Sequence, residues 1–243
     1  MRIAVVSDIH ANLHALAAVQ KAIEEDAPDC VWCLGDLVGY GARPNECTSA
    51  ARELADLCLA GNHDLGVLDE VPLEDFSDEA AAAALWTREI LEDEPHDYLT
   101  TLNPQASTDE PEVELFHASP RDPIWEYILD VGAAEAAFEL TSAPLVLVGH
   151  SHVPLIARLE DEVTASHAPE GTEVDLSRGR VLLNPGSIGQ PRDGDPRAAY
   201  VLLDFDAGAA SFRRVEYDVE RTQEEIREAG LPESLAERLG HGL

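Results

Sequence analysis

IAVVSDIHANLHALAAVQKAI, residues 3–23, runs a strand, a polar turn and a helix together without a linker. The β-branched run Ile3–Val6 suits a buried strand. Asn12 is an N-cap residue, and Leu13, Leu16, Ala17 and Ile23 recur at helical spacing until Pro28 stops the pattern. CVWCL (30–34) supplies a second strand, residues 45–55 a second helix and DLCLA (56–60) a third strand. Strands alternating with helices predict βαβ units and a largely parallel sheet, hence an α/β fold. Residues 77–92 predict another helix. Beyond it VELFH (113–117), PLVLVGH (144–150), VPLIARL (153–159), RVLLNPG (180–186), AAYVLLDF (198–205) and ASFRRVEY (210–217) read as strands with few helices between them. They predict a second sheet of antiparallel character, closed by a helical tail over 219–239. No repeat or linker divides the chain, so one domain over 1–243 is expected.

The 243 residues carry 16 basic and 48 acidic side chains, a formal net charge of −32, and Lys21 is the single lysine. The acids are spread through apolar-periodic segments, which predicts an ordered fold with an acidic surface. Such a surface matches a halophile protein, since the Debye length falls to about 3 Å near 1 M salt and screens self-repulsion. It disfavours long nucleic acid, whose binding rests on basic groups neutralising phosphates. No apolar run is long enough for a membrane span and MRIAVVSD carries no cleavable signal pattern, so no membrane partner and a cytoplasmic location are expected. Cys30, Cys33, Cys47 and Cys58 are too few for a disulfide framework, and Cys30 and Cys33 sit in an apolar run where cysteine acts as a small hydrophobe.

The strand ends carry the chemistry. IAVV is followed by Asp8 and His10, CVWCLG by Asp36, DLCLAG by Asn62, His63 and Asp64, VELF by His117, and LVLVG by His150 and His152. Five strands thus deliver oxygen and nitrogen donors at their carboxyl ends, where open α/β sheets place their ligand crevice. His14, His96, His167 and His241 lack such company and are read as surface or helix-face residues. Carboxylate, imidazole and amide oxygen without thiolate suit Mn, Fe or Zn, and so many imidazoles argue against calcium. The donors exceed what one ion needs; two ions sharing a carboxylate would use them all.

The blocks SDIHANL (7–13), GDLVGYG (35–41), GNHD (61–64), FHASP (116–120) and GHSH (149–152), in this order, resemble the calcineurin-like metallophosphoesterases. NPGSIGQPRDGDPRAAY (184–200) is similar to the C-terminal block of their small bacterial and archaeal phosphodiesterase branch, and residues 65–112 match poorly. The resemblance implies a four-layer sandwich of two mixed β-sheets flanked by α-helices. It implies two divalent ions, Mn foremost with Fe, Zn and Ni as alternatives. Asp8, His10, Asp36 and His152 would hold one ion and Asp36, Asn62, His117 and His150 the other, with Asp36 bridging. His63 would stabilise or protonate the leaving oxygen and Asp64 would orient His63, a turn-stabilising role being the competing reading of Asp64. A metal-activated hydroxide would attack phosphorus in line. Asn184, Arg192 and Arg197 are candidates to touch the substrate, and Tyr40 to touch it or pack under the metal loop. Many relatives carry glycine where Ala11 stands, and alanine predicts a less positive φ there.

The expected function is therefore hydrolysis of a small phosphodiester or phosphomonoester. A dinucleoside polyphosphate hydrolase or protein phosphatase competes within the enzyme class, and a non-catalytic metal-binding scaffold outside it. The second sheet's edge strand is able to pair with a copy of itself, which leaves a homo-oligomer open.

Overall fold

The computed structural model describes residues 1–243. In chain order it contains β1 (Arg2–Val6), α1 (Leu13–Asp26), β2 (Cys30–Cys33), α2 (Pro44–Leu54), β3 (Leu57–Cys58), α3 (Asn62–Val67), α4 (Asp78–Ile90), α5 (Asp93–Leu99), β4 (Gln105–Asp109), β5 (Glu112–Phe116), α6 (Val131–Leu140) and β6 (Leu145–Leu147). There follow β7 (Leu155–Leu159), β8 (Val163–His167), β9 (Glu173–Asp175), β10 (Arg180–Asn184), β11 (Ala198–Asp204), β12 (Ala209–Val215), α7 (Val219–Glu228) and α8 (Glu233–Glu237), with a 3₁₀ turn over Arg238–Gly240. No helix is long and apolar enough to cross a membrane.

Two six-stranded mixed sheets result, ordered β3-β2-β1-β11-β12-β9 and β4-β5-β6-β10-β7-β8. In the first, β1, β2 and β3 are parallel and β11 is antiparallel to β1. In the second, β5, β6 and β10 are parallel, with antiparallel β4 and β7 on their flanks. Alternation along the strands sets the layers, because successive side chains leave opposite faces. Ile3 and Val5 of β1 meet Val113, Leu115, Leu145, Leu147 and Leu183 in a core between the sheets. Ala4 and Val6 face outward onto Ala15, Leu16, Val19 and Ile23 of α1. On the far side Val146, Leu182 and Leu155 pack on Ala134, Ala137 and Phe138 of α6. The order is helix, sheet, sheet, helix.

Four expectations need correction. Strands β11 and β12 extend the first sheet instead of the second, because Arg2 to Val5 offer β11 a full antiparallel register. Helix α6 was not expected; its Gly-Ala-rich sequence hid a helix that Asp130 caps by accepting from the Ala133 amide. Strands β4, β8 and β9 were missed as well: β4 and β8 are polar, largely exposed edges, and β9 is three residues long. The tail breaks at Gly230 and Pro232 into two helices.

The tail is tied down by charge. Glu225 of α7 is buried and accepts from Arg43 Nε and Nη2 at 2.9 and 2.8 Å, with His14 Nε2 and Arg221 Nη2 each at 3.3 Å. Arg43's hydrogen bonds hold the Glu225 carboxyl down at about 2. A depressed folded value gives stability that is complete above the unfolded value near 4.5 and is lost as pH falls through about 2. Glu225→Gln is expected to cost about 1–2 kcal/mol near neutrality, Arg43 being partly exposed, and to lower Tm by about 2–8 °C. The deficit should shrink below pH 4, and melts at pH 7 and pH 3 measure it; an equal deficit at both would assign the effect to packing.

Candidate metal centre

Three turns after β1, β2 and β6 put their donors forward by using a backbone region that side chains rarely adopt. Asp8, His10, Asp36, His150 and His152 have φ of 55°, 49°, 55°, 62° and 60°. Each such residue costs of order 1–3 kcal/mol, which the surrounding fold must supply. Ala11 joins them at φ 49°, so alanine did not open the turn as its chemistry predicts. The backbone bonds Ala11 N to Leu37 O and Arg43 N to Ala11 O, 2.9 and 3.1 Å, clamp it.

Of 48 acidic residues only Asp8, Asp36, Asp64 and Glu225 are buried, and the first three lie here beside the buried His10, His63, His117, His150 and His152. Buried carboxylates without partners are costly. Asp8 Oδ1 and Asp36 Oδ2 nevertheless accept no hydrogen bond. Asp36 Oδ2 lies 3.5 Å from His10 Nε2 and 3.6 Å from His117 Nε2, and Asp8 Oδ1 lies 3.5 Å from His152 Nε2.

The far side of each ring decides its proton. Nδ1–H of His10, His117 and His152 donates to Val38 O, Leu34 O and Gln190 O at 3.1, 2.8 and 2.7 Å. A carbonyl only accepts, so these nitrogens hold the proton and each Nε2 turns a lone pair inward. His150 is reversed: Nε2–H donates to Trp125 O at 3.1 Å and Nδ1 is left for the site. His10 Nε2 and His152 Nε2 therefore face each other lone pair to lone pair at 3.0 Å, and Asn62 Oδ1 stands 3.2 Å from His117 Nε2.

Burial, then the neighbouring imidazole of His152, holds His10 well below the usual histidine range. Burial also lowers His117, His150 and His152. The imidazoles thus resist taking up a second proton to bridge the gap between these atoms. Burial, then the Asp64 and Asp8 carboxylates, pushes Asp36 well up. Such a convergence is what a cation relieves. Two groups could hold one: Asp8, His10, Asp36 and His152, and Asp36, His117 and His150, with Asp36 common to both. Carbonyls fixing the outer ring nitrogens are the usual support of metal-ligating imidazoles. The donor set fits a divalent metal.

Not every site residue expected from the sequence faces this centre. Asp64 does not orient His63: its Oδ1 accepts from the Leu37 and Val38 amides at 2.9 and 3.1 Å and its Oδ2 from Gly61 N at 2.8 Å. It ties the β2 and β3 turns together, with burial pushing its carboxyl up to about 6. Asn184 is buried beneath the GHSH turn, donating to Gly149 O and Ser151 Oγ and accepting from Gly186 N, and shapes that turn instead of facing a substrate. Arg197 is engaged by Asp195 and Glu170.

His63, Tyr40 and Arg192 line a cavity of about 350 Å³ over Asp36, His150 and His152. The His63 ring lies 4.3 Å from Tyr40 and 5.1 Å from Phe76, and its Nδ1 is buried without a partner. Arg192 Nη2 donates to Tyr40 Oη and Gln190 Oε1 and meets no carboxylate. Seven lining residues were not anticipated, among them Phe76, Trp125, Tyr127 and Arg238. Phe76 falls in the poorly matched segment and Arg238 in the tail, where no local motif marks them.

The model of the calcineurin-like phosphoesterase superfamily domain matches residues 1–208. The chain is 39% identical over 240 residues to the uncharacterized protein MJ0912 of Methanocaldococcus jannaschii, covering 98% of this chain and 96% of that one. It is similar to the crystal structure of a metallophosphoesterase from Sphaerobacter thermophilus, with 43% identity, a TM-score of 0.89, and 100% and 99% of the two chains covered. A hypothetical protein PH1004 from Pyrococcus horikoshii OT3 shares the fold at 23% identity and a TM-score of 0.81, over 100% and 98% of the chains. With its donors at the strand ends of a matching four-layer fold, the chain belongs to the calcineurin-like phosphoesterase superfamily.

Proposed function

We propose that the protein is a binuclear metal-dependent phosphoesterase hydrolysing a small phosphodiester or phosphomonoester. The observation that carries this reading is the pair of donor groups meeting at Asp36 Oδ2 on the floor of a cavity that also holds His63 and Arg192. Asp8, His10, Asp36 and His152 would hold one ion and Asp36, Asn62, His117 and His150 the second, with Mn²⁺ the first candidate. Such a pair of ions supplies Lewis acidity and a water made nucleophilic at neutral pH.

The chain's own groups do the rest. Arg192 holds phosphoryl oxygens, its guanidinium kept in place by Tyr40 and Gln190. His63 addresses the leaving oxygen. It is tied by its backbone N–H, which donates to Asp36 Oδ1 at 2.8 Å, and by ring packing, so its side chain is changeable without moving Asp36. His63→Asn is expected to lower kcat by about 10²–10³ with metal content unchanged by elemental analysis. Loss of metal would instead make His63 a ligand.

The cavity volume suits a small ester better than a folded phosphoprotein loop. The relative from Sphaerobacter thermophilus bears the name metallophosphoesterase, which supports the reaction class. Metal-stripped protein should hydrolyse neither bis(p-nitrophenyl) phosphate nor p-nitrophenyl phosphate, and Mn²⁺ should restore one. Folded, metal-loaded protein inert toward both esters would favour the scaffold reading.

We further propose that the whole chain works as one unit in the cytoplasm of a salt-accumulating cell, on the strength of a −32 charge with one lysine. Its Tm should climb between 0.1 and 2 M KCl as self-repulsion is screened. A flat curve would remove the halophile reading.

A further inference from the structure

Two guanidiniums stand in the cavity without an ion pair, in a chain with 16 basic and 48 acidic residues. Elsewhere Arg43, Arg88, Arg197 and Arg214 are each taken up by carboxylates. Arg192 Nε is buried with no partner at all. The carboxylates lining the cavity are Asp36, which belongs to the metal cluster, and Asp75, which pairs with neither arginine. Glu79 on α4 acts on Arg238 only from beyond ion-pair distance. Two like charges have thus been brought together in a part-buried space and left unneutralised by the protein.

Arg238 is not there by the accident of a loose terminus. It lies in the 3₁₀ turn after α8, between the buried Ala236 and Leu239. Leu235, Ala236 and Leu239 pack with Ile226, Ala80, Ala83 and Tyr40 into one apolar cluster. That cluster holds the tail against the cavity wall, and Tyr40 also accepts from Arg192. The family match ends at residue 208, so Arg238 lies beyond the part of the chain that the family model describes.

The positions differ in depth. Arg192 is fixed against the GHSH turn, its backbone N–H donating to His152 O at 3.3 Å, and its Nε is buried, whereas Arg238 also borders an outer groove with Gln223 and Glu237. Arg192 is the inner charge and Arg238 the outer one. In the same cavity Tyr127 stacks on His150 at 4.3 Å and 12°, and Phe76 meets Trp125 edge to face at 5.0 Å. The cavity therefore combines two cationic groups with an aromatic side of flat rings.

We infer that Arg238 selects for a second phosphoryl group on the substrate, bound beyond the scissile one on the Arg192–Arg238 pair, with a flat substituent resting on the aromatic side. The inference rests on the phosphoesterase reading and deepens it: the substrate class is a small ester carrying two neighbouring phosphoryl groups. One phosphoryl group over the metals engages Arg192, and only a second one reaches Arg238. The gain comes from charge-assisted bonds to a guanidinium that otherwise faces its like.

The test is the ratio of Kd values for AMP and ADP, measured by calorimetry on metal-loaded protein without excess metal and at one salt concentration. Wild-type protein should bind ADP at least about tenfold tighter than AMP, and Arg238→Ala should bring the ratio to within about twofold of unity. Arg238→Gln, which keeps the side chain's packing length, should behave like Arg238→Ala, and matching melting curves would show that the tail is still docked. Equal Kd values in wild-type protein, or a ratio that survives both substitutions, would overturn the inference. Protein that prefers ADP but hydrolyses no ester refutes the enzymatic reading and leaves the subsite standing; protein that hydrolyses bis(p-nitrophenyl) phosphate without preferring ADP does the reverse.

Discussion

Asp36→Asn should leave a protein that is more stable without metal and catalytically dead with it. Asp36 Oδ1 accepts the His63 amide at 2.8 Å, and an asparagine oxygen keeps that bond. Oδ2 has no donor and faces the lone pairs of His10 and His117. An amide nitrogen there donates to those lone pairs and carries no charge, so it removes the cost of a buried carboxylate beside Asp8 and Asp64. The metal-free variant should melt about 3–10 °C above metal-free wild type, from about 1–3 kcal/mol. Wild type should gain about 10–15 °C on adding Mn²⁺ at a thousandfold excess over Kd, from about 4 kcal/mol of linkage. The variant should gain far less, and its turnover should fall by at least about 10³, since the shared carboxylate serves both donor groups. A variant that kept the full metal-induced shift would refute Asp36 as the shared ligand.

Gly61→Ala should do comparable damage with one methyl group. Gly61 has φ −101°, which any residue adopts, so its requirement is space and not backbone freedom. A Cβ there would stand 2.0 Å from Asp36 Oδ1 and 2.5 Å from Asp36 N. Neither atom can yield: the backbone is held between β2 and the metal turn, and Oδ1 is bonded to His63 N. Overpacking of this kind typically costs about 1–3 kcal/mol. The larger effect falls on function, because Asp36 must turn away and both donor groups lose their common oxygen. Metal content should fall below one ion per chain and turnover by at least about 10³. Gly132→Ala is the control: it sits in the first turn of α6 with only Asp130 Oδ1, 3.5 Å away, near its new methyl, and should be neutral or slightly stabilising. Equal metal content in the two variants would show that the close approach at Gly61 does not matter.

Much of the fold and most of the site could be read along the chain, for a local reason. A strand end, a turn and a donor residue are contiguous in IAVVSDIH, in CVWCLGD and in LVLVGHSH, so the sequence names the donors and the edge of the sheet from which they emerge. The Asn12 cap is equally local: its Oδ1 accepts from Ala15 N at 3.1 Å. What escaped depends on partners distant in sequence. β11 looks the same whichever sheet it joins, and only its register with β1 decides. Asp64 beside His63 reads as an acid–imidazole pair until the Leu37 and Val38 amides are seen to claim its oxygen.

The sequence by itself determined the α/β class and the acidic surface and pointed to the seven candidate donor residues, because each rests on composition or on neighbours within a few positions. Only the tertiary structure decided that Asn184 and Asp64 hold turns, that Arg197 is engaged while Arg192 is not, and that Arg238 reaches the cavity from the far end of the chain. Those outcomes turn on which polar group a side chain meets when water is removed, and that partner is set by packing between segments up to about two hundred residues apart.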